Sequence, residues 1–447
     1  MDYSPSGFHN SRPKMVQSPA LTSGVRVPFG FQEKRGSILP NYPVSINEVR
    51  LYSTNVEAAA EICRQIDDCD GLTMTRSGEF EIRRGPLTAE NPTVIGEDAG
   101  HISLVLDRAR YYKETRDIIL AKTANTSLSG NETCYPMNLV GSISNFISLG
   151  TDDARWEHFS RTMESVMNES SFSPPGCSVN DETNIAIIVP FRDNDTLVRT
   201  RQFYSLLSSL IPMLIRQNVR FGFYLVNQGG PNDVPFNRGK LMNVGFQTAA
   251  ADGFECFFFH DVDLIPENDK NLYRCTSNPK HYSGWIDKWN YIMPYEGLFG
   301  GITAFSKAAF EKVNGYSNEF WGWGAEDDDL SLRTFNERTG FKMVRPAEEV
   351  TRFKMIKHEH EANNAANSHR FALVRNGRKF WGRDGLNSLD YEVLTLDRDI
   401  FFTNVTVDLH YDSRKTKQWG IERRAINKRS EPNEFFWTFM SSNSNVF

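Results

Sequence analysis

The chain has 447 residues, of which 39% are hydrophobic and 24% are charged, so it can form one large core and additional small modules. Its formal net charge of −6 argues against a dedicated nucleic-acid-binding protein, because such surfaces are usually basic. No stretch approaches the roughly 18 consecutive apolar residues of a membrane helix, so no anchor is visible in this sequence.

Residues 1–44 are polar and rich in Ser, Pro and Gly, and we expect a disordered leader or stem. They lack the apolar centre of a signal peptide, so the sequence shows no route into the secretory pathway. At the other end, residues 413–447 are expected to form a tail that is first basic and then rich in Ser and Asn.

Residues 45–122 are expected to form a small α+β module. Apolar spacing predicts a short helix over 56–63, and alternation predicts a hairpin of 72–75 with 80–83. A helix, a cysteine pair and a hairpin resemble an apple/PAN type of binding module. A spacer pinned by one disulfide is the alternative.

Residues 123–180 are rich in Ser, Asn and Gly and are expected to connect this module to a main domain at 181–412. Apolar runs ending in turns there predict buried parallel strands that alternate with helices. The elements are predicted in the order strand, helix, strand, helix, strand at 185–191, 196–217, 221–226, 240–250 and 255–259. This order predicts an α/β domain with an open sheet, whose ligands bind beyond the carboxyl ends of the strands.

Six cysteines and five Asn-x-Ser/Thr sequons indicate an oxidising compartment. No cysteine pair has the CxxC spacing of a zinc site. The even count is compatible with three disulfides, although buried free thiols would be usual in the cytosol. The sequons lie at Asn125, Asn131, Asn168, Asn194 and Asn404.

Asp261-Val262-Asp263 follows the aromatic strand that ends near Phe259. Two carboxylates one residue apart can hold a divalent cation and a ribose or phosphate-bound water, as the release of a nucleotide diphosphate requires. A bare pair of this kind is more often a solvated turn. Its position at a strand end favours the functional interpretation.

Met355 and His358 are three residues apart, so both could reach one ion. Thioether is a soft ligand that a site for Mn²⁺ or Mg²⁺ does not normally use. Read from the residues alone, Met355 is a core residue and His358 a surface residue.

The segment Trp321–Asp329 has two tryptophans, two glycines and four consecutive acids. The glycines allow close approach of a ligand, and the indoles offer faces on which a sugar can stack. One of the acids is suited to act as a general base, although charge at a helix start is the alternative. Ring faces and cations suited to uracil and diphosphate occur at 190–192, at 236–240 and at Lys288.

Five segments in this order resemble the β-1,4-galactosyltransferase family, over roughly residues 130–411. They are Ile188–Arg192, Phe236–Arg238, Asp261–Pro266, Trp321–Asp329 and Asp384–Leu389. The resemblance implies a GT-A fold, which is a Rossmann-like mixed α/β sheet, and an inverting reaction. It also implies Mn²⁺ as cofactor, a UDP-sugar as donor, and a Golgi-lumen location.

The resemblance further implies a role for each matching residue. Asp327 would be the catalytic base, with Glu326 beside it. The metal ligands would be Asp263, Met355 and His358. This differs from the interpretation of the residues alone, in which Met355 is a core residue and His358 a surface residue. The donor site would comprise Pro190, Phe191, Arg192, Phe236, Arg238, Asp261, Val262, Asp263, Lys288, Leu298, Gly301 and Trp323. The acceptor site would comprise Tyr295, Trp323, Asp327, Asp328, Arg370, Phe371 and Val374. The implied disulfides are Cys134–Cys177 and Cys256–Cys275, which leaves Cys63–Cys69 for the small module.

Leu298 stands where galactose-transferring members usually have tyrosine. With an aliphatic residue at this position, the chain resembles the invertebrate β-1,4-N-acetylgalactosaminyltransferases. We therefore expect transfer of GalNAc from UDP-GalNAc to the 4-hydroxyl of a terminal GlcNAc on a glycoconjugate. One alternative is a UDP-galactose transferase with the same acceptor. Another is a carbohydrate-binding protein with a decayed active site, against which the presence of Asp263, Met355, His358 and Asp327 argues.

Overall fold

The structure is a computed structural model whose described residues fall into two compact units, within 1–107 and within 108–447. The described residues are 31–35, 37–38, 45–46, 49–50, 52–53, 59, 71–74, 80–83, 93–94, 102–106, 108–124, 133–137, 139, 153–168, 170–193, 197–231, 233–356 and 365–414.

The first unit contains a five-stranded antiparallel sheet in the order β1-β9-β6-β7-β5, with β2 paired to β8 and β3 to β4. The predicted hairpin is confirmed, because Leu72 pairs with Ile82. The predicted Cys63–Cys69 disulfide, and all of the predicted helix except Ala59, lie outside the described residues. The strands are β1 Phe31–Arg35, β2 Ser37–Ile38, β3 Ser45–Ile46, β4 Val49–Arg50, β5 Tyr52–Ser53, β6 Gly71–Met74, β7 Phe80–Arg83, β8 Thr93–Val94 and β9 Ile102–Leu106.

The second unit is built on a mixed sheet flanked by helices. Its strands are β10 Ser171–Phe172, β11 Asn184–Phe191, β12 Arg220–Gln228, β13 Cys256–His260, β14 Leu264–Pro266, β15 Lys280–His281, β16 Trp285–Ile286, β17 Ile302–Ser306, β18 Arg352–Met355, β19 Glu392–Arg398 and β20 Thr403–Asp408. Its helices are α1 Arg108–Ala124, α2 Asp153–Met163, α3 Val198–Gln217, α4 Arg238–Ala251, α5 Lys307–Lys312, α6 Glu326–Thr334 and α7 Arg370–Gly377. Single 3-10 turns lie at Glu164–Val166, Asp181–Thr183, Asp287–Trp289, Glu348–Val350 and Leu386–Ser388.

The main sheet has the order β15-β17-β13-β11-β12-β20-β19, with β10 paired to β12. Strand β11 is parallel to both β12 and β13, and its residues 185–191 are all buried. A strand covered on both faces must be apolar throughout, which is why the run Ile185–Phe191 does not alternate. The α/β prediction is confirmed, and all five predicted elements form within about two residues of their expected ends. The strand-end loops therefore share one edge of the sheet.

Helix α1 and the cysteine pairs tie the surrounding segments to this core. Residues 108–122 were expected to belong to the small module, but they form most of α1. Arg216 Nε of α3 donates to Thr115 Oγ1 of α1 at 3.0 Å, which attaches α1 to the second unit. The Cys134–Cys177 and Cys256–Cys275 disulfides are both present, as the resemblance implied. In the described part of the chain, no helix is long and apolar enough to cross a membrane.

Two of the five sequons fall on described residues, and they differ in accessibility. Asn168 is exposed, as a glycan acceptor must be. Asn404 is half-buried within β20, between β12 and β19. The structure thus favours Asn168 over Asn404 as an acceptor.

Candidate active site

The candidate site lies at the carboxyl ends of β11, β12 and β13. After β11, the buried Arg192 donates from Nη1 to the Val234 carbonyl at 2.6 Å, and its guanidinium lies 5.3 Å from the centre of the Phe236 ring. The side chain of Gln228, at the end of β12, accepts from the Asn237 amide at 2.9 Å. The two predicted donor-site segments are therefore brought together across more than forty residues of sequence.

Arg238, the first residue of α4, links two acidic segments. Its Nε and Nη2 donate to Asp261 Oδ1 at 2.9 and 2.7 Å, and its Nη1 lies 3.5 Å from Glu326 Oε1. The Arg238 side chain is only 16% exposed, so these charges interact with little screening by water. The acidic loop after β13 and the acidic start of α6 are thus linked through Arg238, although about sixty residues of sequence separate them.

Asp263 directly precedes β14, and Met355 is the last residue of β18, in a second, three-stranded sheet of the order β14-β18-β16. Leu264 pairs with Met355, and the Ile356 amide donates to the Asp263 carbonyl at 2.8 Å. Asp263 is buried, and Met355 is partly buried. His358, the third predicted metal ligand, lies outside the described residues. Among the residues that are described, no three His, Cys, Asp or Glu side chains are grouped to hold a metal.

The four acids of α6 occupy its first turn, and each has a different environment. Asp329 is fully buried and accepts from Arg333 Nε at 2.6 Å and from Trp381 Nε1 at 3.2 Å, so it is structural. Asp328 Oδ1 accepts from the Tyr295 hydroxyl at 3.0 Å. Asp327 Oδ1 accepts from the Asp328 amide at 3.0 Å, and its Oδ2 lies against Gly300, where a Cβ atom would collide with it.

Burial and, second, repulsion from Asp327 raise the pKa of Glu326 and of Asp328 to about 7 each. Arg238 opposes this rise at Glu326, and the hydrogen bond from Tyr295 opposes it at Asp328. Asp261 adds repulsion at Glu326. Carboxyls with raised pKa values are frequent at catalytic sites, where a group must hold or take up a proton near neutral pH.

These pKa values predict that the protein is more stable in mild acid than in mild alkali. An acid whose pKa is higher in the folded state contributes stability below its unfolded pKa, and that stability is lost as the pH rises through the folded pKa. For Glu326 this stability is lost between about pH 4.5, the ordinary pKa of the group, and about pH 7, its pKa in the folded protein. Replacing Glu326 with glutamine should therefore stabilise the protein at about pH 8, on the order of 2 kcal/mol, and change little at about pH 5.

Urea unfolding at the two pH values measures this effect, with Glu337→Gln as the control because Glu337 is exposed three residues after the end of α6. The control should not alter the pH dependence. An equal effect of Glu326→Gln at both pH values would mean that its ionisation does not oppose folding.

The segment 298–301 lies between the two acidic groups. The Gly301 carbonyl accepts from the Asp261 amide at 3.2 Å and from Arg238 Nη2 at 3.4 Å. Gly301 has φ +77°, a conformation that glycine adopts without strain. Leu298 is buried at 6% exposure. The structure thus places the predicted donor residues Leu298 and Gly301 in the segment that faces Asp327.

The predicted acceptor residues of α7 lie beside Trp323. The Arg370 guanidinium is 5.7 Å from the centre of the Trp323 ring and 4.6 Å from that of Phe371. Trp323 and Phe371 are 44% and 42% exposed, so both can contact a sugar. Val374 is buried in a small cluster with Phe320, Ala325 and Leu373.

One tryptophan does not have the predicted role. Trp321 is 8% exposed and packs in the main core, 4.7 Å from the centre of the Tyr411 ring. It therefore offers no stacking face, and only Trp323 does so in this loop. Lys288 is exposed on the turn Asp287–Trp289, which is held near β18 because Asp287 accepts from the Met355 amide at 2.8 Å.

Comparison with known proteins identifies the group to which this site belongs. The family model for the N-terminal region of glycosyl transferase group 7 matches residues 135–276, and the model named N-terminal domain of galactosyltransferase matches 280–359. Human β-1,4-galactosyltransferase 2 is 41% identical over 255 residues, which are 57% of this chain and 66% of that protein. The chain belongs to the β-1,4-galactosyltransferase family. The match with human β-1,4-galactosyltransferase 2 spans just under two thirds of that protein's length.

Other members of the β-1,4-galactosyltransferase family match the same region. Mouse β-1,4-galactosyltransferase 1 is 41% identical over 239 residues, which are 53% of this chain and 57% of that protein. A solved structure of the catalytic domain of Drosophila β-1,4-galactosyltransferase 7 with xylobiose is 29% identical, with a TM-score of 0.44. It covers 53% of this chain and 98% of that one. The mixed sheet and the family models together give the GT-A type α/β fold.

Two residues near the site, the buried His281 and the partly buried Arg345, were not predicted from the sequence. A single histidine and a single arginine, 64 positions apart, carry no motif. Only the fold brings them together beneath the segment that contains Leu298.

Proposed function

We propose that this protein is an inverting glycosyltransferase that moves a sugar from a UDP-sugar to the 4-hydroxyl of a terminal GlcNAc. The observation that carries the proposal is the link through Arg238, which joins Asp261 at the strand edge to Glu326 at the start of α6. Asp327 follows Glu326 directly, and its carboxylate lies against Gly300 of segment 298–301. A donor and an acceptor bound on either side of the Asp327 carboxylate would meet there.

Asp327 is the acid best placed to act as the base. Asp329 is committed to Arg333, Asp328 accepts from Tyr295, and Glu326 lies beside Arg238. The Asp327 carboxylate takes the proton of the acceptor 4-hydroxyl as that oxygen forms a bond to the anomeric carbon. The bond from the anomeric carbon to the diphosphate oxygen breaks on the opposite face, and UDP leaves with the electron pair.

Mn²⁺ is the proposed cofactor, held by Asp263 and Met355 together with His358. The positions of Asp263 and Met355 at adjacent ends of paired strands fit a shared ion, and the buried carboxylate is a suitable hard ligand. When bound, the ion would neutralise charge that develops on the diphosphate. Arg192, Phe236 and Arg238 would bind the uridine diphosphate through cations and a ring face.

The donor is proposed to be UDP-GalNAc. Leu298 lacks the ring and hydroxyl of tyrosine, so it would leave room for the acetamido group at the 2-position of the sugar. A single pocket residue of this kind changes selectivity by about 10–200-fold, so residual use of UDP-galactose is expected. Wild-type protein should show the higher kcat/KM with UDP-GalNAc, and Leu298→Tyr should reverse the ratio of the two kcat/KM values.

The test is transfer to a simple GlcNAc glycoside with the two UDP-sugars side by side. Leu332→Tyr is a matched control, because Leu332 is 39% exposed on α6 and its substitution should leave the donor ratio unchanged. Faster transfer of galactose by the wild type would favour the galactosyltransferase alternative. An unchanged ratio in Leu298→Tyr would show that Leu298 is not the selector.

A third alternative is a carbohydrate-binding protein without catalysis. Hydrolysis of UDP-sugars with and without Mn²⁺ distinguishes it from an enzyme. We also propose a Golgi-lumen location, supported by the two disulfides and the exposed sequon at Asn168. We propose the domain boundaries near 44, 122, 180 and 412 likewise, except that β1 and β2 lie within the expected leader and residues 108–122 lie in α1.

A further inference from the structure

Arg345 anchors the backbone of the segment that contains Leu298. Its Nη2 donates to two carbonyls of that segment, Glu296 at 2.7 Å and Leu298 at 2.7 Å. Arg345 lies in the loop between α6 and β18, far from the segment in sequence. A planar guanidinium can reach several acceptors at once with fixed directions, which a lysine ammonium cannot do.

His281 completes this anchor. Its Nδ1 accepts from Arg345 Nε at 3.0 Å, and its Nε2 lies 2.9 Å from the Gly300 carbonyl. Arginine always donates, so Nδ1 must be the acceptor and Nε2 must carry the proton that it donates to Gly300. His281 is fully buried, and burial, with the charge of Arg345, lowers its pKa to about 3. The imidazole is therefore neutral, and its hydrogen-bonding direction is fixed.

The two side chains hold alternate carbonyls of residues 296, 298 and 300 on one side of the segment. Ser283 adds a second bond to the Gly300 carbonyl at 2.9 Å. The other side contacts the reaction site, where Gly300 lies against Asp327 and the Gly301 carbonyl accepts from Asp261 and Arg238. A shift of the segment would therefore move Leu298 and alter the space in front of Asp327 together.

We infer that Arg345 and His281 are positioning residues that set donor selectivity by fixing the backbone of residues 296–300. This inference rests on the proposed function of the same site. Neither side chain needs to touch the sugar. Their effect reaches the donor through the position of Leu298, and the discrimination between two donor sugars depends on small differences in pocket shape.

The test compares Arg345→Lys with the wild type, using UDP-GalNAc and UDP-galactose. Lysine keeps the charge but cannot maintain the bonds to His281 and to both carbonyls. We expect the ratio of the two kcat/KM values to move toward unity by about fivefold or more. The Kd of UDP, which lacks the sugar, should stay within about twofold because the nucleotide site is unchanged.

His281→Gln is the second variant, since a glutamine amide can still donate to Gly300 but cannot accept from Arg345 in the same geometry. It should move the ratio in the same direction. Arg338→Lys is the matched control, because Arg338 is exposed, and it should leave the ratio unchanged. Slower transfer from both donors with an unchanged ratio would assign Arg345 and His281 to folding alone and overturn the inference.

A wild-type protein that transfers neither sugar would refute the proposed function instead. The two results are separable, because calorimetric Kd values of the two UDP-sugars report donor selectivity without transfer. An Arg345→Lys variant with the wild-type ratio of these Kd values, as well as of any kcat/KM values, would contradict the positioning role.

Discussion

Replacing Asp327 with asparagine is expected to abolish sugar transfer while UDP binding stays nearly intact. Asparagine keeps the shape of the side chain, so Asp328 and Gly300 retain their neighbour. It cannot take the proton of the acceptor hydroxyl at neutral pH. Loss of a general base lowers kcat by about 10²–10⁴-fold. Steady-state kinetics and calorimetric titration with UDP measure the two quantities.

Variants of the neighbouring acids make this test specific. Asp397→Asn is the control for the substitution itself, because Asp397 is exposed on β19, and its kcat should equal that of the wild type. Glu326→Gln removes a charge next to Arg238 and should lower activity less than Asp327→Asn does. If Asp327→Asn turns over at a near-normal rate, the base is another group, and Glu326 is the next candidate.

The fold was predictable because its central strands and helices differ in ways that a sequence displays. A strand buried on both faces must be continuously apolar and is short, as Ile185–Phe191 is, whereas the buried helices beside it are 20 and 14 residues long. The ends of parallel strands lie at one edge of the sheet whatever their spacing in sequence. This is why Arg192 and Asp261 could be expected at one edge of the sheet from the sequence.

The roles within the acidic run were not predictable from the residues alone. Asp327 and Asp329 are two positions apart and chemically identical, but α6 turns Asp329 toward Arg333 in the core and leaves Asp327 facing Gly300. The same applies to Trp321, which packs in the core two residues before the exposed Trp323. A helix or a tight loop separates such neighbours by its geometry, and composition does not record that geometry.

The Asp384–Leu389 segment shows the same limit for a motif. It contributed to the resemblance, and the structure gives it a structural role. Asp384 accepts from Ser317 Oγ at 2.6 Å and from the Asn318 amide at 2.8 Å, and lies 3.3 Å from Arg333. Arg333 in turn bonds Asp329 at 2.6 Å. This buried network fixes helix α6 at Asp329 and Arg333. The Asp384–Leu389 motif therefore helps to determine the position of Asp327, although the motif lies away from the reacting atoms.

Removal of divalent metal is expected to stop transfer, and Mn²⁺ is expected to restore it best. The departing diphosphate carries charge that Arg192 and Arg238 only partly balance, because Arg238 is already bonded to Asp261. A cation bound at Asp263 would supply the remaining stabilisation, so EDTA should lower the rate by about 100-fold or more. Full activity in EDTA would contradict metal dependence.

Variants of the proposed ligands locate the site independently of the rate. Asp263→Asn replaces a carboxylate with a neutral amide, and it should weaken Mn²⁺ binding, measured by electron paramagnetic resonance in the presence of UDP, by about 10–100-fold. His358→Ala should raise the Mn²⁺ concentration needed for half-maximal activity. Met355→Leu tests the thioether without changing the volume greatly, and it should weaken Mn²⁺ binding less than Asp263→Asn, because Mn²⁺ prefers hard oxygen ligands. Asp397→Asn again serves as the control and should bind Mn²⁺ as the wild type does. If Asp263→Asn also binds Mn²⁺ with wild-type affinity, Mn²⁺ does not bind at Asp263 and Met355, the residues that the pairing of β14 with β18 brings together.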